Sequence, residues 1–151
     1  MIQNLNDFLS DIERKKYATQ QGLNMHTLLQ NVIIDDTDNN CDNANIVSVI
    51  KQKPDLKQYF VPDAKTEVPI AGIINGVFVS RRIDRLLIDN QTKTIAFLDY
   101  KTDTDKTTFC EKYKKQLHEY AQLLRSMYPE YKISGFVLWT HDWELEKMVG
   151  L

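Results

Sequence analysis

The sequence predicts an α/β domain, a mixed central sheet flanked by helices behind an N-terminal helical segment. Two observations carry this reading. Apolar residues recur at helical spacing through about residue 62, and the period shortens to that of strands from about residue 63. The later part then runs as three strands, a helix and a last strand, an order that fits α/β or α+β with a mixed sheet. A chain of 151 residues suits one compact domain with a core of its own.

The elements follow in order. Leu5, Phe8, Leu9 and Ile12 give a helix over about Ile2 to Ala18, which Gly22 is expected to end. Met25, Leu28, Leu29, Val32 and Ile33 form the stripe of a second helix. Asp35 to Asn43, DDTDNNCDN, reads as a loop. Short helices follow at about Ala44 to Gln52 and after Pro54. Lys65 to Ile70 and Val77 to Ile88 are strands on either side of Asn75-Gly76, a strong hairpin turn. Thr94 to Lys101 is the next strand. A helix from about Thr108 to Met127 carries Tyr113, Leu117, Tyr120, Ala121 and Leu124 on one face, and Lys132 to Thr140 closes the sheet.

Composition narrows the function classes. Apolar residues make up 42% and charged residues 26%, ordinary for a globular chain. No apolar run approaches a membrane span, and the start lacks a secretory signal pattern, so a cytoplasmic protein without membrane attachment is expected. Cys41 and Cys110 are isolated, which excludes a zinc ribbon or a four-cysteine iron–sulfur cluster built from this chain. The net charge of -2 argues against tight nucleic-acid binding through bulk charge. Basic residues nevertheless gather locally: Arg81, Arg82, Arg85, Lys101, Lys106, Lys112, Lys114 and Lys115.

The chemistry concentrates on two strands. If Asp89 to Thr92 form the turn, Ile88 lies opposite Lys93 and Asp84 opposite Phe97. Asp84, Phe97, Asp99 and Lys101 then share one face, with Asp84 and Asp99 as diagonal neighbours roughly 7–8 Å apart at Cα. A slip of one residue would separate the two acids. Adjacent carboxylates repel unless a cation lies between them, and Mg²⁺ prefers hard oxygen ligands of this kind. Lys101 would point into the same site, supplying positive charge where phosphodiester hydrolysis develops negative charge.

A D-x-K triplet is common on its own; the ordered set of segments is not. GLNMHTLLQ (Gly22 to Gln30), SRRIDRLLID (Ser80 to Asp89), FLDYKTD (Phe97 to Asp103) and QLHEY (Gln116 to Tyr120) occur in the order of four motifs of the PD-(D/E)XK nuclease superfamily. The chain resembles the RecB/AddA branch of that superfamily over nearly its whole length. TEVPI (Thr66 to Ile70) is similar to the acidic strand upstream of the first acid, and FVLWT to the last strand of AddA-type subunits. Gly is often found in the family where this chain has Ser80 or Arg81, and some relatives carry a four-cysteine cluster that this chain cannot build.

The resemblance implies a restriction-endonuclease-like core and a metal-dependent deoxyribonuclease, exonuclease-like, in double-strand break repair and recombination. It implies His26, Asp84, Asp99 and the backbone carbonyl of Tyr100 as ligands to Mg²⁺, with Mn²⁺ as the alternative. Asp99 and Lys101 become the catalytic pair, and Gln116 and Tyr120 contact the DNA strand or support the site. Glu67 has two equal readings, tuning the site or pairing with an arginine. His118, His141, Trp139 and Trp143 carry no chemical argument and default to core or surface roles.

Domains of this branch usually end a helicase subunit. No GxxxxGK[ST] phosphate loop occurs here, so the chain has no ATP site. The expected partners are DNA, as single-stranded ends, and a helicase or AddB/RecC-like subunit. The runner-up function is a catalytically silent DNA-binding or docking module, against which the complete residue set counts. A phage or restriction nuclease of the same superfamily is a third reading, disfavoured by the Q-x-x-x-Y helix and the AddA-like ending.

Overall fold

The computed structural model describes residues 5–34 and 44–150. The loop expected at Asp35 to Asn43, with Cys41, and the start of the first helix lie outside them. The elements are α1 (Leu5–Gln30), α2 (Ala44–Lys51), α3 (Pro54–Lys57), β1 (Lys65–Ile74), β2 (Val77–Asp89), β3 (Thr94–Lys101), α4 (Lys106–Met127), β4 (Lys132–Trp139) and β5 (Glu144–Val149). They form an α/β structure with a five-stranded mixed sheet in the order β1-β2-β3-β4-β5. Among the described strands only β3 and β4 run parallel, with α4 as the crossover between them. No helix among the described residues is long and apolar enough to cross a membrane.

The expected break at Gly22 does not occur; α1 runs through it as one helix of 26 residues. An interior glycine costs a helix only about 1 kcal/mol. Here Leu29, fully buried, and half-buried Met25 anchor the following turns against the sheet.

Asn75 and Gly76 both take positive φ, 50° and 77°, the primed turn that joins β1 to β2 without splaying them. The β2–β3 turn corrects the expected register. Asp89 pairs with Thr94 and Leu86 with Phe97, so the four-residue loop keeps its length but sits one position later. Its cause is local: the Asp89 carboxylate accepts from the backbone N–H groups of Gln91 (2.9 Å) and Thr92 (3.1 Å), and Lys93 closes the loop at φ 55°. The ladder moves by two in register, and its regular pairing ends at Arg85 with Leu98. Phe97, Asp99 and Lys101 keep the expected face toward α4, but Asp84 turns to the other side with Glu67 and His26, so the four residues do not share one face as expected.

The Asp105 side chain caps α4 by accepting from Thr107 N and Thr108 N. The expected stripe, Tyr113, Leu117, Tyr120, Ala121 and Leu124, is buried, joined by Leu123. It covers one face of the sheet, packing on Ile83, Leu86, Ile95, Phe97, Ile133 and Val137. The other face, with Leu98, Tyr100 and Leu138, packs on Leu29, Ile50, Leu56 and Phe60 from the helical segment. Gly135 pairs with Phe97, whose ring fills the space a Cβ would need.

Sequence reading missed β5. Its run ELEKMV places three charges among three apolar residues, and only Met148 and Val149 are buried. An edge strand of this kind carries charge toward solvent and gives a weak periodic signal.

Candidate metal centre and active site

The site forms where β2 departs from regularity. Arg81 and Ile83 face α4, Arg81 through an ion pair with Glu119 and Ile83 within the core. Leu86 and Ile88 face α4 as well, so the alternation slips between Ile83 and Leu86. Asp84 and Arg85 occupy the slip. On β1, Thr66 pairs with Arg85 and Val68 with Ile83, leaving Glu67 across from Asp84 in an unpaired step. Glu67 takes φ 51°, a costly conformation for a residue with a side chain and one that recurs at functional sites.

Three side chains converge there. Ligand atoms of His26, Glu67 and Asp84 all lie within 4.8 Å of one another, a set able to hold a metal ion. His26 Nδ1 is 3.3 Å from Asp84 Oδ1, and its Nε2 is 3.2 Å from the Tyr100 carbonyl oxygen. With both ring nitrogens facing oxygen, the imidazolium is favoured. The hydrogen bond to Asp84 raises the His26 pKa; burial opposes this, and the Asp84 charge and the Tyr100 carbonyl add to the rise. The other Asp84 oxygen accepts from the Tyr100 backbone N–H at 2.7 Å. Asp84 thus ties α1 to the end of β3.

Beside this cluster lies a lysine relay. Asp99 is 4% exposed and its Oδ2 is 2.7 Å from Lys101 Nζ. The contact is close but poorly aligned, and Oδ2 has no hydrogen-bond donor in good geometry. Burial drives the Asp99 carboxyl up to about 6; Lys101 pulls it down, and the neighbouring Asp84 charge pushes it further up. Lys101 donates to Gln116 Oε1 at 3.1 Å and lies 4.3 Å from the Tyr113 ring centroid. Gln116 in turn donates to the Tyr120 hydroxyl at 2.7 Å. Tyr120 is 4% exposed.

The donor set could hold a metal ion: two carboxylates and an imidazole lie within reach, with a backbone carbonyl and a buried acid oxygen without an aligned donor beside them. Of the ligands implied by resemblance, His26 and Asp84 lie in the cluster and the Tyr100 carbonyl borders it. Asp99 sits outside it, on Lys101. Glu67 lies in the cluster and also pairs with Arg82 at 3.7 Å.

Sequence reading missed the role of Arg85, which it only grouped with the gathered basic residues. Arg85 is 1% exposed. It donates to the carbonyls of Leu29 (2.7 Å), Val32 (3.2 Å) and Tyr59 (3.4 Å) and to the Tyr100 hydroxyl (2.8 Å), with its guanidinium over the Phe60 ring. It closes the C-terminal end of α1 and so fixes the helix that carries His26. Its signal was faint: one of three arginines in SRRIDRLLID, distinguished only by the apolar residues after it.

Next to the relay is a cavity of about 450 Å³ between β2 and α4, lined by Arg81, Lys101, Lys112 and Lys115 with Gln116 and Glu119. Four cations against one acid make it an anion-attracting groove despite the chain's net charge. Among the residues given default roles, Trp139 is buried and donates to Glu146, while His118 and His141 stay at the surface. No family model and no curated protein matches this sequence.

Proposed function

We propose that the chain is a metal-dependent DNA nuclease of the PD-(D/E)XK superfamily, RecB/AddA type, cutting phosphodiester bonds at single-stranded ends delivered by a helicase partner. The observation that carries this is the meeting of His26, Glu67 and Asp84 beside the buried Asp99–Lys101 pair. The five-stranded mixed sheet supports a restriction-endonuclease-like core.

His26, Glu67 and Asp84 hold the cation, with Asp99 and the Tyr100 carbonyl next to them. A bound Mg²⁺ or Mn²⁺ supplies charge neutralisation on the scissile phosphate and lowers the pKa of water. The chain's residues do the remainder. Asp99 and Gln116 hold Lys101, leaving its ammonium to stabilise negative charge as the phosphate is attacked. Arg81, Lys112 and Lys115 draw the strand's phosphates into the adjoining groove. His26 and Asp84 set the orientation of α1 to β3 on which this arrangement depends.

The test is incubation of purified protein with end-labelled single- and double-stranded DNA in Mg²⁺, Mn²⁺ or EDTA, beside Asp99→Ala. Metal-dependent cutting that disappears in the variant supports the nuclease. Calorimetric metal binding without cutting, even with a motor partner added, would sink it in favour of a silent docking module.

A further inference from the structure

Among the described residues the β1–β2 hairpin is covered on one side only. Val68, Ile70, Ile74 and Val79 pack toward α4, and a Cβ on Gly72 would touch Leu123. Alternation turns the intervening residues to the opposite face. There the ladder stacks three cross-strand pairs, Ile73 with Phe78, Ala71 with Ser80 and Pro69 with Arg82. All six are exposed, Phe78 at 67% and Ile73 at 63%. The strip ends at Glu67 and Asp84 themselves, since Arg82 pairs with Glu67.

We propose that this uncovered face is a track for single-stranded nucleic acid leading to the metal cluster, with Phe78 as a base-stacking platform and Arg82 as a phosphate contact. The inference rests on the nuclease reading and extends it to the strand's path. Three features favour a strand over a protein partner. The face is a ribbon two strands wide, about 10 Å across and about 20 Å long. Its roughly 200 Å² falls far below the ~800 Å² per partner of a stable protein interface. A few nucleotides of an extended strand match that ribbon. Its make-up, an exposed aromatic ring and then an arginine along one line, is the pairing by which strands are held without sequence preference: bases stack on the ring and phosphates meet the cation. The line is also continuous with the cluster, so a base held at Phe78 belongs to a strand whose backbone passes Asp84.

The experiment is fluorescence anisotropy of a short labelled oligothymidylate and a duplex of equal length, in EDTA, with the full chain and with Phe78→Ala, Phe78→Trp and Arg82→Ala. Phe78→Ala is expected to weaken single-strand binding about fivefold or more and to leave duplex binding nearly unchanged, and Phe78→Trp to restore it. Arg82→Ala is expected to reduce the salt dependence of single-strand binding by about one ion. Wild-type affinity in Phe78→Ala would overturn the track while leaving the nuclease reading untouched. Loss of self-association or of partner binding in Phe78→Ala, with strand affinity intact, would overturn it in favour of a protein contact. If the wild type binds neither DNA, the track falls, and the cleavage assay decides the nuclease separately.

Discussion

The two halves of the site are built in different ways. The lysine half is local: Asp99 and Lys101 are two residues apart on β3, and Gln116 and Tyr120 follow on the next element, α4. The metal half is assembled from afar, with His26 on α1, Glu67 on β1 and Asp84 on β2. A local half survives so long as one crossover folds. A dispersed half requires that α1 dock correctly, and Arg85 is the bolt. Damage to tertiary docking should therefore abolish cation binding while leaving the lysine relay standing.

The largest effects should come from breaking each half at its centre. Asp99→Ala and Lys101→Ala are expected to lower the cleavage rate by about 10²–10³-fold, the usual loss when a transition-state charge partner is removed, with folding retained by circular dichroism. Arg85→Met should instead act on stability. It leaves the carbonyls of Leu29 and Val32 without their donor, at a cost of about 3 kcal/mol read from urea denaturation. Arg85→Lys should rescue little of it, because an ammonium cannot span acceptors held on separate segments.

Glu67→Gln sharpens the comparison. It keeps the shape of the side chain and removes one anionic ligand, so calorimetry should record a loss of cation affinity of about tenfold or more, with the lysine half untouched. Unchanged affinity would leave Glu67 only its pairing with Arg82.

A pH titration separates the halves again. The His26 pKa is raised, so protons compete with the cation and affinity should fall as pH drops through that raised value. Metal-free stability runs the other way. The His26 contribution is fully present below its unfolded value of about 6.5 and is lost as pH rises through the folded one. His26→Gln should flatten both curves, in binding and in denaturation. The smallest effect belongs to Tyr120→Phe, which loosens Gln116 at one remove from Lys101; a several-fold fall in rate with no change in cation affinity is expected.

Legibility followed the same division. The lysine half could be read because its spacing is short and strand alternation is reliable. Asp84 and Asp99 came to the same neighbourhood despite a misplaced turn, but the slip in β2 turns Asp84 toward α1 and leaves Asp99 on the α4 side. What escaped was non-local. Nothing in the sequence marks that Glu67 lies opposite Asp84 at an irregular step, because that depends on pairing through the Asn75-Gly76 turn and on a φ of 51°. Arg85 escaped because burial of a cation among helix-end carbonyls has no periodic signature. Gly22 misled because its propensity was weighed without the docking of Met25 and Leu29 that holds the helix through it.

Asp84 and Asp99, both buried at or beside the candidate metal cluster, would give the protein a gauge of any cation held there. Without a cation only His26 and Lys101 offset the two buried acids, and the Asp84 charge still pushes the Asp99 carboxyl up. A divalent ion that binds only the native chain relieves this, and at a hundred times its dissociation constant adds about 2.7 kcal/mol of stability. The melting temperature therefore reads metal occupancy directly, in the absence of DNA, a partner or any turnover.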